Sequence, residues 1–207
     1  MLKSGVMTDG GFEETVEGTP QGGVISPLLA NIYLNHFDRR MGEEGYLVLR
    51  YADDFLIFCK SDWEAEKALR AAKRILEEEL KLNLNPGKTR IVDVCEGFAE
   101  FLGFRFNDRY LLPTDKAIES YKDTIRHKTR RQQPKNVRMV IADINPIILG
   151  WGRYFGYRTA EPAFRRLDGW TRARVRSFKA KRRTGWIIRK ALPEERELVS
   201  LVTLRTR

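Results

Sequence analysis

The stretch Tyr51-Ala52-Asp53-Asp54 decides the fold of this chain. An apolar run precedes it at residues 46–49 (YLVL), and a second follows at residues 55–59 (FLIFC). Two β-prone runs around a tight acidic turn predict a β-hairpin. Because Asp side chains bond nearby backbone amides, the simplest interpretation is a pair of solvated turn residues. Adjacent carboxylates repel each other, however, and a divalent cation shared with phosphates would explain the pair better.

A glycine-rich stretch lies upstream of the predicted hairpin. Residues 18–34 read GTPQGGVISPLLANIYL, and residues 50–58 read RYADDFLIF. In this order and spacing they resemble motifs B and C of the reverse transcriptases encoded by group II introns. The resemblance implies template and nucleotide contacts at Gly18, Thr19, Pro20, Gln21, Gly22, Gly23, Tyr51 and Ala52.

The resemblance also implies the chemistry of the predicted hairpin. In the family two Mg²⁺ ions serve nucleotidyl transfer, and here Asp53 is the expected principal ligand and Asp54 an auxiliary one. Lys88, in the segment NPGKT, resembles the motif D lysine that protonates the leaving pyrophosphate. Without the resemblance it would be read as a solvated loop lysine. Residues 98–106 predict a strand with Gly103 in its interior, and they resemble the primer grip, with Phe101, Leu102, Gly103 and Phe104 at its centre.

The family's motif A contributes a further metal-binding Asp before motif B. The only Asp in that stretch is Asp9, beside two glycines, and we do not expect it to substitute. We therefore expect the fingers and the first part of the palm to be absent. Two interpretations stay open: an RNA-directed DNA polymerase and intron splicing and mobility factor, or a non-catalytic RNA-binding maturase remnant that assists splicing. A third, a retron-type or diversity-generating reverse transcriptase, is disfavoured by residues 150–155 (GWGRYF), which resemble the maturase-specific region.

Charge divides the chain into two halves. Residues 1–108 hold 13 Lys and Arg against 19 Asp and Glu, a net charge of −6, whereas residues 109–207 hold 25 against 9, a net charge of +16. A strongly basic half predicts a polyanionic partner. The expected RNA contacts are Arg153, Arg165, Arg166, Arg172, Arg174, Arg176, Lys179, Lys181, Arg182 and Arg183.

These patterns predict an α+β protein. A partial palm of antiparallel hairpins with covering helices is expected over residues 1–108. A helical thumb or maturase-specific domain is expected over 109–184, and a basic tail over 185–207. Helices are predicted near 61–82, 115–130, 136–155 and 161–183, and a strand within 83–94. Ser26 is the expected N-cap of the helix after motif B, with Leu28, Leu29, Ile32, Leu34 and Phe37 packing beneath the palm.

The remaining composition concerns compartment and partners. Cys59 and Cys95 form no Cys-x-x-Cys pattern, so we expect free thiols rather than disulfides or a zinc site. The sequence has no apolar run of about 20 residues and no signal-peptide pattern, which predicts a cytoplasmic protein without a membrane partner. The resemblance implies group II intron RNA, an RNA template with a DNA primer, and deoxynucleoside triphosphates as partners. A separate N-terminal reverse transcriptase portion is a further candidate partner.

Overall fold

The computed structural model describes residues 5–8, 11–14, 24–130, 132–180 and 191–204. The chain divides into two compact units, residues 1–91 and residues 92–207. The first unit combines antiparallel strands with helices, and the second is mostly helical, which confirms the α+β class. The division by packing falls before the primer-grip segment. The functional boundary between palm and thumb at 108/109 stays a prediction.

The described residues of the first unit form two hairpins and two helices. Its elements are β1 (Gly5–Thr8), β2 (Gly11–Glu14), α1 (Ser26–Glu43), β3 (Leu47–Tyr51), β4 (Asp54–Phe58) and α2 (Asp62–Lys73), which continues as a π-helical segment over Arg74–Glu79. β1 pairs antiparallel with β2, and β3 pairs antiparallel with β4. The hairpin predicted around the acidic turn is therefore confirmed.

The β3–β4 hairpin buries one face and exposes the other. Val48, Phe55 and Ile57 pack against the core that α1 and α2 form. The alternate residues Leu47 and Tyr51 are 68% and 65% exposed. This follows from the period of two along a strand, which sends successive side chains to opposite faces. The helices therefore support the hairpin from one side only.

Helix α1 differs in two respects from the prediction. Its N-cap is Ile25, so Ser26 is already helical, and Pro27 lies in the first turn. Leu34, Phe37 and Met41 form the buried stripe. The prediction that Leu28 and Ile32 pack beneath the palm is wrong: they are 59% and 64% exposed, because they lie on a different face of the helix from that stripe.

The segment after α2 forms the predicted turn but not the predicted strand. The Asn85 side-chain oxygen accepts from the Gly87 amide at 3.0 Å, and its carbonyl accepts from the Lys88 amide at 3.1 Å. Residues 89–94 are not a strand. A β-branched run becomes a strand only beside a partner, and no strand of the described residues pairs with it.

The described residues of the second unit form a three-stranded meander followed by three long helices. Its elements are β5 (Ala99–Phe101), β6 (Phe104–Phe106), β7 (Leu111–Pro113), α3 (Asp115–Lys128), α4 (Val137–Phe155) and α5 (Glu161–Ala180), with 3-10 turns at Arg158–Ala160, Pro193–Glu197 and Leu201–Leu204. The strands pair antiparallel in the order β5-β6-β7. All three predicted helices are confirmed over the described residues. The Thr114 and Asn136 side chains accept from the amides of Ala117 and Met139, which caps α3 and α4.

The last described segment completes the core of the second unit. Leu198 and Leu201 are buried in the cluster that α3, α4 and α5 form. The Asp168 carboxylate on α5 accepts from the amides of Leu201 and Val202 at 2.9 and 3.3 Å. At Gly152 an added Cβ would meet the Leu201 side chain at 2.9 Å, so this glycine lets the segment approach α4 closely. Among the described residues, no helix combines the length and apolarity that crossing a membrane requires.

Candidate active site and nucleic-acid interface

The acidic turn is the tip of the β3–β4 hairpin. Tyr51 pairs with Asp54, which leaves Ala52 and Asp53 as a two-residue turn. Ala52 has φ +54°, in the left-handed region that a non-glycine residue rarely occupies. Such a conformation costs on the order of 1–3 kcal/mol and persists only where the surroundings impose it. The turn is therefore held in one shape by its contacts.

The two carboxylates at this tip are exposed and unengaged. Neither Asp53 nor Asp54 makes a side-chain hydrogen bond or ion pair with the part of the chain that the structure describes. Hard carboxylate oxygens in this state suit Mg²⁺, which proteins hold through one or two carboxylates together with substrate phosphates. The described residues contain no cluster of three or more His, Cys, Asp or Glu side chains that could hold a metal by themselves. The donor set thus fits a metal that substrate and water also ligate.

Arg50, on β3 next to the turn, connects the tip to helix α1. Its Nε and Nη2 donate to the Asp38 carboxylate at 2.8 and 2.6 Å. Its Nη1 donates to Asn31 Oδ1 at 3.0 Å and to the carbonyl oxygen of Ala52 at 2.8 Å. Asp38 raises the pKa of the Arg50 guanidinium by these hydrogen bonds. Arg50 is not among the residues predicted from the sequence, although a charged residue on the inward-facing side of an apolar strand was a usable signal.

Lys88 lies in the turn that Asn85 organises. It is exposed, and its side chain has no hydrogen bond or ion pair with the described residues. An ammonium group can neutralise charge on a phosphate. Nothing in the structure tests this role for Lys88, which stays a prediction.

The primer-grip segment forms the β5–β6 hairpin. Leu102 and Gly103 occupy its turn with φ +50° and +79°. Gly103 therefore lies at the tip of the hairpin, and the prediction that it lies within a strand is wrong. Positive φ at both positions is the geometry of tight hairpin turns. Phe104 follows the turn, with its ring 4.8 Å from that of Phe155, and the Tyr154 hydroxyl donates to the Leu102 carbonyl at 2.9 Å. The C-terminal end of α4 therefore fixes this hairpin.

Two of the predicted RNA contacts on α5 are engaged inside the fold. Arg176 donates from Nε and Nη2 to the two carboxylate oxygens of Glu195 at 2.6 and 2.7 Å. The Glu195 side chain is only 4% exposed, and Arg176 lowers the pKa of its carboxyl group. Arg174 donates from Nη2 to Thr129 Oγ1 at 3.1 Å. Both guanidiniums hold elements of the second unit together.

The other described cations of this set are nearer to solvent. Lys179 pairs with Glu194 at 2.8 Å, and Arg165 pairs with Glu161 at 2.6 Å. Arg172 approaches Glu195 at 3.9 Å. Arg166 donates to the carbonyl oxygen of Pro162, and Arg153 is exposed on α4. The predicted contacts that lie outside the described residues are Gly18, Thr19, Pro20, Gln21, Gly22, Gly23, Lys181, Arg182 and Arg183.

Comparison with protein families gives two matches along the chain. Residues 4–106 match the model of the reverse transcriptase (RNA-dependent DNA polymerase) family. Residues 118–192 match the group II intron maturase-specific domain. The chain belongs to the group II intron reverse transcriptase and maturase family. The acidic turn and the primer-grip hairpin fall within the first match, and most of α3, all of α4 and all of α5 fall within the second.

Several individual proteins match parts of the chain. Protein YkfC of Escherichia coli K12 is 37% identical over 50% of this chain and 36% of its own length. An uncharacterized 91 kDa protein in the cob intron of Schizosaccharomyces pombe is 22% identical over 75% of this chain and 30% of its own length. The group II intron-encoded protein LtrA of Lactococcus lactis is 53% identical over 38 residues, 18% of this chain and 6% of that protein. The chain thus spans about a third or less of the length of these relatives.

Proposed function

We propose that this chain serves RNA-directed DNA synthesis and the splicing and mobility of a group II intron. The observation that carries the proposal is the pair of unengaged carboxylates, Asp53 and Asp54, at a hairpin tip inside the reverse transcriptase match. The maturase-specific match in the second unit supports a role with intron RNA. An RNA template with a DNA primer, deoxynucleoside triphosphates and intron RNA are the proposed substrates and partners.

The chain's own residues divide the work as follows. Asp53 would be the principal ligand, and Asp54 the auxiliary one, of a pair of Mg²⁺ ions. The bound metal supplies charge neutralisation for in-line phosphoryl transfer. Lys88 donates a proton to the departing pyrophosphate, a role that an ammonium on an exposed turn can fill. The β5–β6 hairpin, with Phe101, Leu102, Gly103 and Phe104, holds the primer end, and geometric positioning of this kind contributes much of the rate.

A second candidate function is splicing assistance without polymerisation. The net charge of +16 over residues 109–207 favours it, because a polyanion binds such a surface whether or not chemistry follows. Among the described cations of this set, Arg153, Arg165, Arg166 and Lys179 are exposed, and Arg172 is partly exposed with only a 3.9 Å approach to Glu195. A separate chain that supplies a further carboxylate, such as an N-terminal reverse transcriptase portion, would reconcile the two functions.

Primer extension on an RNA template, measured together with RNA retention in one sample, distinguishes these functions. The full chain is incubated with Mg²⁺ and deoxynucleoside triphosphates, beside Asp53→Asn and a control, Asp62→Asn. Asp62 is an exposed carboxylate that opens α2, after the end of β4 distant from the tip. Where the wild type extends the primer, the control should extend it too, and Asp53→Asn should lose extension with RNA retention unchanged. Retention without extension in the wild type supports splicing assistance, and absence of both overturns the proposal.

A further inference from the structure

We propose that Arg50 is a positioning residue for the proposed metal site, because it ties the backbone of the Asp53–Asp54 turn to helix α1. The inference deepens the proposed function and rests on it. Arg50 would not bind the metal itself, but it would fix the position of the two carboxylates. Three acceptors converge on this one side chain: Asp38, Asn31 and the Ala52 carbonyl oxygen.

The first step is the geometry of the guanidinium. Arg50 is 11% exposed, and its planar fork satisfies a carboxylate, an amide oxygen and a backbone carbonyl at distances of 2.6 to 3.0 Å. A lysine at this position has a single ammonium on a flexible stem and no rigid fork. Arg50→Lys therefore retains the charge and removes the three-way connection.

The second step concerns charge. The guanidinium bonds Asp38 and not the turn carboxylates, so Asp38 neutralises it locally. Asp53 and Asp54 have no ion pair with the described residues, so Arg50 does not occupy the carboxylate oxygens that a cation would use. A cation placed on the turn itself would compete with the metal, and the arrangement of Arg50 avoids this competition.

The third step concerns backbone conformation. Ala52 is in the left-handed region, which an alanine does not favour, and its carbonyl oxygen is the one that Arg50 holds. The peptide that follows Ala52 leads directly into Asp53. The hydrogen bond from Arg50 therefore fixes the peptide group between Ala52 and Asp53, which orients the Asp53 side chain. Contacts of this indirect kind orient metal ligands and affect metal affinity by about 10–100-fold when removed.

The fourth step links the turn to the segment resembling motif B. Asn31 lies within residues 18–34, and Asp38 lies two turns further along the same helix. Arg50 thus bonds both α1 and the acidic turn. Helix α1 is the helix that follows the glycine-rich stretch. Displacement of α1 would be transmitted to the carboxylates through this one side chain.

The test uses Mn²⁺ as a probe that does not depend on polymerase activity. Free Mn²⁺ is measured by electron paramagnetic resonance with the full chain, Arg50→Lys, Asn31→Ala, Asp53→Asn and a matched control, Arg40→Lys. Arg40 is a partly exposed arginine on α1 that pairs with Glu43 and Glu79. Amide exchange at residues 51–54 is measured in the same variants, with residues 47–49 as the internal reference.

Arg50→Lys is expected to weaken Mn²⁺ binding about tenfold and to accelerate exchange at residues 51–54 only. Arg40→Lys should change neither, and Asn31→Ala should fall between them. Wild-type Mn²⁺ affinity and exchange in Arg50→Lys would overturn the inference. So would acceleration spread evenly over β3 and β4, which would show a merely structural role. If Asp53→Asn binds Mn²⁺ as the wild type does, the proposed metal site fails, and the pattern of exchange alone decides the role of Arg50.

Discussion

The acidic turn of the first unit and the basic helix α5 of the second unit treat their charges in opposite ways. Asp53 and Asp54 stand next to each other with no partner in the described residues, whereas Arg174 and Arg176 on α5 are bonded to Thr129 and Glu195. The first arrangement leaves charge available for a ligand at some cost in stability. The second uses charge to join elements of the fold. A run of like charges in a sequence therefore does not reveal by itself which of these two uses it has.

The largest effect expected from this comparison is at the Arg176–Glu195 pair. The Glu195 carboxylate is almost fully buried, and Arg176→Ala removes its main partner. Loss of one member of such a pair costs about 3 kcal/mol or more. Urea unfolding followed by tryptophan fluorescence measures it, because Trp151 and Trp170 pack against the core of this unit. Lys179→Ala, which removes the more exposed pair with Glu194, is the control and should shift the midpoint far less. Equal shifts would show that the buried charge is not special.

The next effect is steric and contrasts two glycines of α4. Gly152→Ala places a Cβ within 2.7 Å of Leu204 Cδ1, and overpacking of this kind costs about 1–3 kcal/mol. Gly150→Ala meets nothing within 4 Å and should stabilise the helix by up to about 1 kcal/mol, since alanine has the higher helix propensity. Thermal unfolding of both variants checks the prediction. If they shift the melting temperature in the same direction, the close approach of the C-terminal segment to Gly152 is not what constrains this position.

Acid should lower the stability of the second unit through the Arg176–Glu195 pair. The pKa of the Glu195 carboxyl is lowered in the folded state, with its bonds from Arg176 as the largest cause. The stabilisation is therefore present above the unfolded-state pKa of about 4.3, and it is lost as pH falls through the lower folded-state value. Urea midpoints between pH 7 and pH 3 for the wild type and Glu195→Gln measure this. The two curves should converge in acid, and a constant gap between them would contradict the assignment.

The smallest effect on stability is expected at the acidic turn. Asp53→Asn should change the free energy of unfolding by no more than about 0.5 kcal/mol, because an exposed side chain that bonds none of the described residues contributes little to the fold. The same substitution should abolish extension by any active form of the enzyme. Asp38→Asn provides the contrast: it weakens the ion pair that anchors Arg50 and should lower stability. A large destabilisation by Asp53→Asn would mean that the turn carboxylate supports the fold after all.

The primer-grip and motif D segments show where local pattern fails to predict structure. Residues 89–94 have the β-branched composition of a strand, yet strand formation depends on a neighbouring strand, which a one-dimensional pattern cannot supply. Gly103 was placed within a strand, but the structure uses its positive φ for a turn. In both cases the type of residue was informative and its position in the element was decided by its neighbours.

The sequence by itself determined the hairpin with its two adjacent aspartates, the three helices of the second unit and the family to which the chain belongs. Periodicity, capping residues and motif spacing are local properties, so they can be read without coordinates. Only the tertiary structure decided that Arg50 joins the turn to α1, and that Arg176 faces Glu195 and not solvent. These contacts join residues 12 or more positions apart, or lie between a side chain and one particular carbonyl oxygen. These contacts depend on how the elements pack. The sequence pattern could mark Arg50 as unusual on its strand, but it could not name the partners of Arg50 or Arg176.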